Sequence, residues 1–325
     1  MHPLYPLTFE PVLKRYLWGG RRLETFLNKR LGDGSDYAES WEIADHDHGQ
    51  SVVANGPLAG TSLHELVATR GKELLGKHAP QPRFPLLFKF LDCQRDLSVQ
   101  VHPNDAAAAR LTPPDLGKTE AWVILDARPG SRIYAGLKHG CDRAALEAAV
   151  RQGNTAECLH SFEARPGECL FIPAGVVHAL GAGLLGAEIQ QASDTTFRLY
   201  DWGRVGPDGA PRQLHVNAAL DAIDYSAGEV EPQQPQVTGR PGIERLVSCD
   251  KFVLERWTLN RAERLIADDR FCIISVLAGK LRVVPGESVF DITLVRGQTV
   301  LLPACLNDAL MDPLEPATAL VIYCP

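Results

Sequence analysis

The 325-residue sequence lacks the features that mark several common protein classes. It has no run of basic residues and a formal net charge of −7, which argues against nucleic acid or an anionic membrane as a partner. No apolar run approaches the length that crosses a bilayer. Prolines and charges interrupt the opening MHPLYPLTFEPVLKRYLWGG, where a signal peptide would be apolar. We therefore expect a cytoplasmic protein that binds neither nucleic acid nor membrane.

Cysteine pairs at metal-binding spacing are also missing. The eight cysteines contain no C-x-x-C motif, and several stand in apolar segments, as buried reduced thiols do. They are Cys93, Cys141, Cys158, Cys169, Cys249, Cys272, Cys305 and Cys324. This pattern argues against a structural zinc–cysteine site and agrees with a cytoplasmic location.

Short apolar segments separated by glycine, proline and aspartate turns dominate the chain. They predict a mainly β fold of the sandwich or barrel kind. The segments are 40–44, 49–55, 85–91, 97–101, 120–125, 132–136, 169–172 and 187–191. With 45% apolar residues the chain can bury a large core, and its length indicates about two domains.

Three helical segments interrupt these strands. We expect them to pack against the outside of a barrel or to shape its mouth. The predicted helices with their caps are 64–76 after Thr61 or Ser62, the run AAAARL after Asp105, and 143–153 after Asp142.

The most informative stretch is PGECLFIPAGVVHAL (166–180). It has the spacing Gly167-x5-Pro173-x-Gly175-x2-His178, which predicts a strand over 169–172 and then a tight turn. Such a turn presents the imidazole of His178 from a strand end, where the sheet fixes its position. His178 is therefore a candidate metal ligand.

Partners for His178 stand on two other predicted strands. In LSVQVHPND (97–105), Ser98, Gln100 and His102 alternate with aliphatic residues and so share one face. Glu120 opens another apolar strand in GKTEAWVIL. Two imidazoles, a carboxylate and an amide oxygen suit a catalytic zinc ion, and also iron, manganese or cobalt. The predicted metal ligands are Gln100, His102, Glu120 and His178.

The C-terminal part repeats the spacing in a changed form, Gly297-x5-Pro303-x-Cys305-x2-Asp308. Nothing in 271–284 replaces the glutamine–histidine pair. This predicts an internal repeat whose second copy keeps the fold and has lost the metal. Residues 228–242 have proline, glutamine and glycine without periodicity, which predicts a linker or extended crossover. The expected division is 1–227, 228–242 and 243–325.

The spacing around His178 resembles the second motif of the cupin superfamily of double-sheet β-barrels. More narrowly, the chain resembles the type I phosphomannose isomerases of the short bacterial form. The matching motifs cover the first domain, whereas the C-terminal part matches in layout more than in residues. The motifs are YLWGG (16–20), ESWEIADH (39–46), SVVANGPLAG (51–60), FPLLFKFLD (84–92), LSVQVHPND (97–105), GKTEAWVIL (117–125), PGECLFIPAGVVHAL (166–180), EIQQASDTTFRLYDWGR (188–204) and LHVNAALDAI (214–223).

The resemblance implies two cupin-type jelly-roll barrels with a few helices attached to the first. The first barrel would be catalytic and bind one Zn²⁺ through the four predicted ligands; the second would be degenerate and without metal. The implied activity is the interconversion of D-mannose 6-phosphate and D-fructose 6-phosphate through an enediol. The implied catalytic residues are Arg198, Glu188 and Lys118, and the implied substrate-binding residues are Ser98, Lys89, Lys118 and Arg198.

Two departures from the general cupin pattern count against a generic cupin more than against this family. Ala182 stands where an asparagine is common, and His102 lies far from Glu120 in sequence.

Other functions stay open: a non-catalytic sugar-binding or regulatory cupin, or another metal-dependent cupin enzyme such as a dioxygenase. The proton-transferring base is either Glu188 or a zinc-bound water. The expected partner is a small phosphosugar, and a monomer is the expected state.

Three of the singled-out features have a structural alternative. Lys89 in LLFKFLD could face solvent at a strand edge. Arg198 could form a salt bridge with Asp194 or Asp201 instead of binding substrate. His46 and His48 alternate as metal ligands do, but flanking acids and a glycine turn argue against a second metal site.

Overall fold

β-Strands dominate the computed structural model, which describes residues 2–206, 209–286 and 290–325. The strands up to residue 200 are β1 (Phe9–Glu10), β2 (Val12–Gly20), β3 (Tyr37–Ile43), β4 (Asp45–His46), β5 (Gly49–Gln50), β6 (Val52–Val53), β7 (Leu86–Cys93), β8 (Val99–Val101), β9 (Glu120–Ala127), β10 (Arg132–Leu137), β11 (Leu159–Glu163), β12 (Cys169–Ile172), β13 (His178–Leu180), β14 (Leu184–Gln191) and β15 (Phe197–Tyr200). The helices are α1 (Arg22–Thr25), α2 (Leu63–Leu75), α3 (Asp105–Ala108), α4 (Arg143–Gln152) and α5 (Val216–Ala222). The predicted mainly β fold is confirmed.

Two antiparallel sheets face each other in the first part of the chain. Within the described residues, one has the order β11-β10-β13-β8-β15 and the other β12-β9-β14-β7-β3-β2. Both contribute side chains to one polar cavity between them. On their outer faces, alternate residues enter two separate apolar clusters, Val99 and Val101 in one and Phe88 and Ile189 in the other. The strand alternation therefore separates core residues from cavity residues.

A third sheet forms the C-terminal part. Its strands are β16 (Gln236–Val237), β17 (Ile243–Ser248), β18 (Val253–Leu259), β19 (Glu263–Ile266), β20 (Cys272–Pro285), β21 (Ile292–Val295), β22 (Thr299–Leu302) and β23 (Asp308–Tyr323). From this part of the chain, Ile322 on β23 and the residues just before β18 and β20, Phe252 and Phe271, pack in the same apolar cluster as Phe88 and Leu185. The two parts of the chain thus share a core, and their division into two barrels stays a prediction.

Two of the three predicted helix caps are confirmed. Ser62 accepts a hydrogen bond from Glu65 N, and Asp142 accepts one from Ala145 N. The short helix α3 is capped by Asn104, not by Asp105 as predicted, because Asn104 has the extended backbone and accepts from Ala107 N. Asp105 instead accepts from Gly117 N. No helix in the described ranges combines the length and apolarity needed to span a membrane.

The segment 228–242 is held along the first two sheets. Val230 N donates to Ala135 O (3.1 Å) and Gln233 N donates to Cys169 O (2.7 Å), so the segment contacts a strand of each sheet.

The two copies of the predicted repeat have the same local order of elements. β12 and β22 each lead through a turn into a strand that opens at His178 or Asp308. Asp308 forms an ion pair with Arg264 and lies at no cluster of metal-ligating groups in the part of the chain that the structure describes.

Candidate active site and metal centre

One cavity of about 290 Å³ between the two facing sheets brings the predicted site residues together. Its size is that of a pocket for a small polar molecule. Eight of the predicted residues line it: Lys89, Ser98, Gln100, Lys118, Glu120, His178, Glu188 and Arg198. The ninth, His102, is 1% exposed and lies directly behind Lys118 and Glu120.

The turn before His178 explains how the imidazole reaches this cavity. Gly175 has a φ of +91°, a left-handed conformation that side chains rarely adopt. A Cβ there would also lie 3.2 Å from the Asp224 side chain. The strand that follows begins at His178, directly opposite Gln100 on β8. The turn and the strand register together fix both side chains.

Each imidazole has one nitrogen held by a backbone carbonyl. His102 Nδ1 lies 2.9 Å from Thr195 O, and His178 Nδ1 lies 2.9 Å from Val176 O. An Nδ1–H that donates to a carbonyl leaves the lone pair on Nε2, the nitrogen turned toward Glu120. His178 Nε2 is 3.2 Å from Glu120 Oε1, and His102 Nε2 is 3.5 Å from Glu120 Oε2. The two lone pairs and the carboxylate converge.

Burial keeps both imidazoles neutral. It lowers the pKa of His178 to about 4 and the pKa of His102 well below its usual range. The same burial raises the pKa of Glu120 to about 8, against the pull of the Lys118 ammonium. Neutral imidazoles are the form that binds metal, and a nearby divalent cation would stabilise the ionised form of Glu120.

The arrangement fits a metal ion. Ligand atoms of His102, Glu120 and His178 all lie within 4.8 Å of one another, and no other such group of histidine, cysteine and acidic residues occurs among the described residues. Gln100 Nε2 lies 3.4 Å from His178 Nε2, so a flip of the amide presents its oxygen to the same point. The Lys118 ammonium, 3.0 Å from His102 Nε2 and 2.6 Å from Glu120 Oε2, already places one cation against these groups.

Lys89 and Glu188 extend the site on the six-stranded sheet. They are cross-strand neighbours on β7 and β14, and Lys89 Nζ lies 3.5 Å from Glu188 Oε1. Lys118 Nζ is 3.5 Å from the same oxygen. Burial raises the pKa of Glu188, but the two lysines outweigh it, so the pKa is lowered and the carboxylate is ionised. Lys89 is 5% exposed, so the solvent-facing alternative is wrong.

Arg198 reaches the cavity from β15. Its Nε lies 3.3 Å from Ser98 Oγ and its Nη1 donates to Gln213 O at 2.8 Å. The alternative of a salt bridge between Arg198 and Asp194 or Asp201 is wrong, since Arg198 forms no ion pair among the described side chains. Asp201 is held instead by Arg204 and Arg212, whereas Asp194 lies 2.9 Å from His48 Nδ1.

Five lining residues with hydroxyl, carboxylate or guanidinium groups were not predicted as site residues: Tyr16, Glu39, Asp194, Thr196 and Arg212. Tyr16 and Glu39 lie inside YLWGG and ESWEIADH, two motifs that carried the resemblance, but neither motif alone shows which side chains point inward. Arg212 follows a loop, where no alternation signals its direction. His48 Nδ1 lies 2.9 Å from Asp194 Oδ2, and among the described residues His48 belongs to no group with metal-binding geometry.

Comparison with known proteins supports the assignment of this cavity. Residues 7–121 match the family model of the type I phosphomannose isomerase catalytic domain. The chain is 36% identical over 308 residues to the mannose-6-phosphate isomerase ManA of Bacillus subtilis, covering 93% of this chain and 94% of that protein. It is 32% identical over 309 residues to the mannose-6-phosphate isomerase of Streptococcus mutans, with 94% and 95% covered.

The fold is similar along the whole length as well. The crystal structure of mannose 6-phosphate isomerase from Bacillus subtilis superimposes with a TM-score of 0.89 at 31% identity and covers 98% of this chain and 99% of that chain. Sequence identity above 30% over nearly the full length of both proteins, with a matching fold and a buried His/Glu/His cluster, leads to one conclusion: the chain belongs to the type I phosphomannose isomerase family.

Proposed function

We propose that this chain is a zinc-dependent aldose–ketose isomerase that interconverts D-mannose 6-phosphate and D-fructose 6-phosphate through an enediol. The observation that carries the proposal is one cavity that joins a buried metal-ligand set to an ionised carboxylate and two lysines. We assign this chemistry to residues 1–227, with the C-terminal segment 243–325 contributing no metal ligand.

Gln100, His102, Glu120 and His178 would hold the zinc ion. When bound, zinc polarises sugar oxygens and stabilises negative charge that develops on them. The two backbone carbonyls of Thr195 and Val176 hold the imidazole rings in the orientation that binding needs.

Glu188 is the group we assign to proton transfer at carbon. Its Oε1 is buried and has no hydrogen-bond partner in the described structure, although two ammonium groups stand 3.5 Å away. This oxygen can take the proton from C2 of the aldose and return it to C1 of the ketose, while one hydroxyl proton passes from O2 to O1. Lys89 and Lys118 can donate hydrogen bonds to the sugar oxygens as charge develops.

The guanidinium groups of Arg198 and Arg212 line the other side of the cavity and suit a phosphate. Asp201 fixes Arg212 through an Nε–Oδ2 bond of 2.7 Å, and Ser98 and Gln213 fix Arg198. Binding energy from a remote phosphate orients the reacting carbons and so contributes to rate.

Metal removal tests the proposal directly. We expect chelation to abolish isomerase turnover in a coupled assay and to lower the melting temperature, because the ion binds only the folded state. Zn²⁺ should restore both, and Mg²⁺, which prefers oxygen ligands, should restore neither. Turnover by protein shown metal-free by elemental analysis would contradict the proposal. Iron in the purified protein together with oxygen consumption would point to a dioxygenase.

Substitution of Arg198 tests the phosphate side of the cavity. We expect Arg198→Ala to lower kcat/KM for mannose 6-phosphate by about 30-fold, since a hydrogen bond to a charged group contributes about 2 kcal/mol of binding. Metal content should not change. Arg132→Ala, on the outer part of β10 where the guanidinium bonds Ser161, is the matched control and should keep full activity. Full activity of the Arg198 variant would show that another group binds the phosphate.

A further inference from the structure

Glu39 is a cavity carboxylate to which none of the steps above gives a role. It lies on β3 and is 9% exposed. Its Oε2 accepts a hydrogen bond of 2.6 Å from Trp41 Nε1 and lies 3.5 Å from Lys89 Nζ. Trp41 is itself the cross-strand neighbour of Lys89 on β7. The indole therefore fixes the Glu39 carboxylate beside the lysine.

Five buried acidic and basic side chains alternate in a row: Glu39, Lys89, Glu188, Lys118 and Glu120. Neighbouring nitrogen and oxygen atoms along this row are 3.5, 3.5, 3.5 and 2.6 Å apart. Lys89 stands between two carboxylates on the strands to either side of its own, and both are at the same distance. Its ammonium is shared equally between them.

We propose that Glu39 is a positioning residue that holds the Lys89 ammonium away from direct contact with Glu188. Without Glu39, Lys89 has one remaining carboxylate partner and moves onto Glu188 Oε1, the oxygen that must take the carbon-bound proton. A direct hydrogen bond from the ammonium would occupy this oxygen, which the carbon-bound proton has to reach. Glu39 thus keeps Glu188 available for proton transfer; this inference rests on the proposed role of Glu188.

The charge on Lys89 agrees with this role. Burial lowers the pKa of Lys89, but Glu188 and Glu39 outweigh it and raise the pKa above its ordinary value. Substitution of Glu39 by glutamine keeps the size of the side chain and removes one of these two anions. It also makes the cavity more positive by one charge, which favours an anionic substrate.

The kcat and KM of the Glu39→Gln variant distinguish a positioning role of Glu39 from a purely structural one. We expect kcat to fall about tenfold, less than the ~10²-fold that a 1 Å misplacement can cost, with KM for mannose 6-phosphate unchanged or lower. Glu42→Gln is the matched control: Glu42 lies on the same strand and forms a buried pair of 2.6 Å with Lys29, outside this cavity. That variant should have a lower melting temperature and an unchanged kcat. A raised KM with unchanged kcat in Glu39→Gln would overturn the inference.

A second measurement needs no turnover. Trace acetylation with acetic anhydride modifies only neutral amines, so the yield at Lys89 relative to exposed Lys138, read by mass spectrometry, reports the charge of Lys89. We expect this ratio to rise in Glu39→Gln and to stay at the wild-type value in Glu42→Gln; an unchanged ratio in Glu39→Gln would overturn the link. If the wild-type protein does not isomerise mannose 6-phosphate, the proposed function fails, and the acetylation ratio still decides whether Glu39 acts on Lys89.

Discussion

Replacement of His178 by alanine is expected to remove the bound metal and to lower kcat/KM by about 10³-fold. His178 supplies an Nε2 lone pair 3.2 Å from Glu120 Oε1, and its Nδ1 is already committed to Val176 O. Loss of this ligand leaves three of the four predicted donors, Gln100, His102 and Glu120. A metal ion contributes several kcal/mol to the stabilisation of developing charge, and about 4 kcal/mol corresponds to ~10³ in rate.

Elemental analysis and a coupled isomerase assay check this expectation, with circular dichroism to show that the sheets persist. His160→Ala is the matched control, because His160 also lies beside two carboxylates, Glu229 and Glu231, but outside the cavity. The control variant should keep its metal and its activity. Full metal content in His178→Ala would show that the four-ligand assignment is wrong.

The sequence predicted the metal-ligand side of the site well because that side depends on local rules. Alternation along 97–102 is enough to place Ser98, Gln100 and His102 on one face, and the glycine turn is enough to place His178 at a strand end. These rules act over a few residues. The cavity residues that they predict are the ones that the structure brings together.

The other side of the site could not be predicted in the same way, because it depends on pairing between distant strands. Lys89 becomes part of the site because β7 pairs with β3 on one side and with β14 on the other. This pairing places Glu39 and Glu188 on either side of Lys89. Nothing local to LLFKFLD indicates that register. The wrong cap for α3 has a similar origin: Asp105 was a good local candidate, but bonds to Gly117 and Gln191, distant in sequence, engage its carboxylate.

The sequence did not decide between Glu188 and a zinc-bound water as the proton-transferring base. The geometry favours a test on Glu188. Glu188 lies in the middle of β14, is 3% exposed, and is ionised by its two lysine neighbours. A carboxylate that is both buried and ionised is an effective acceptor for a carbon-bound proton, because no water has to be displaced before transfer. Its amide analogue has the same shape and cannot take the proton.

Glu188→Gln is therefore expected to lower kcat by about 10³-fold, within the range of general acid–base catalysis, while metal content and substrate affinity change little. Proton exchange gives an independent measurement: the wild-type protein in D₂O should place solvent deuterium on the sugar carbons, and the variant should not. Glu255→Gln is the matched control, since Glu255 is a buried carboxylate on β18 that accepts from Trp257 Nε1 at 3.0 Å and does not line the cavity. It should lose stability and keep kcat. Deuterium exchange at the wild-type rate in Glu188→Gln would assign the carbon-bound proton to a different group, and Lys89 and Lys118 would then serve only to hold the substrate.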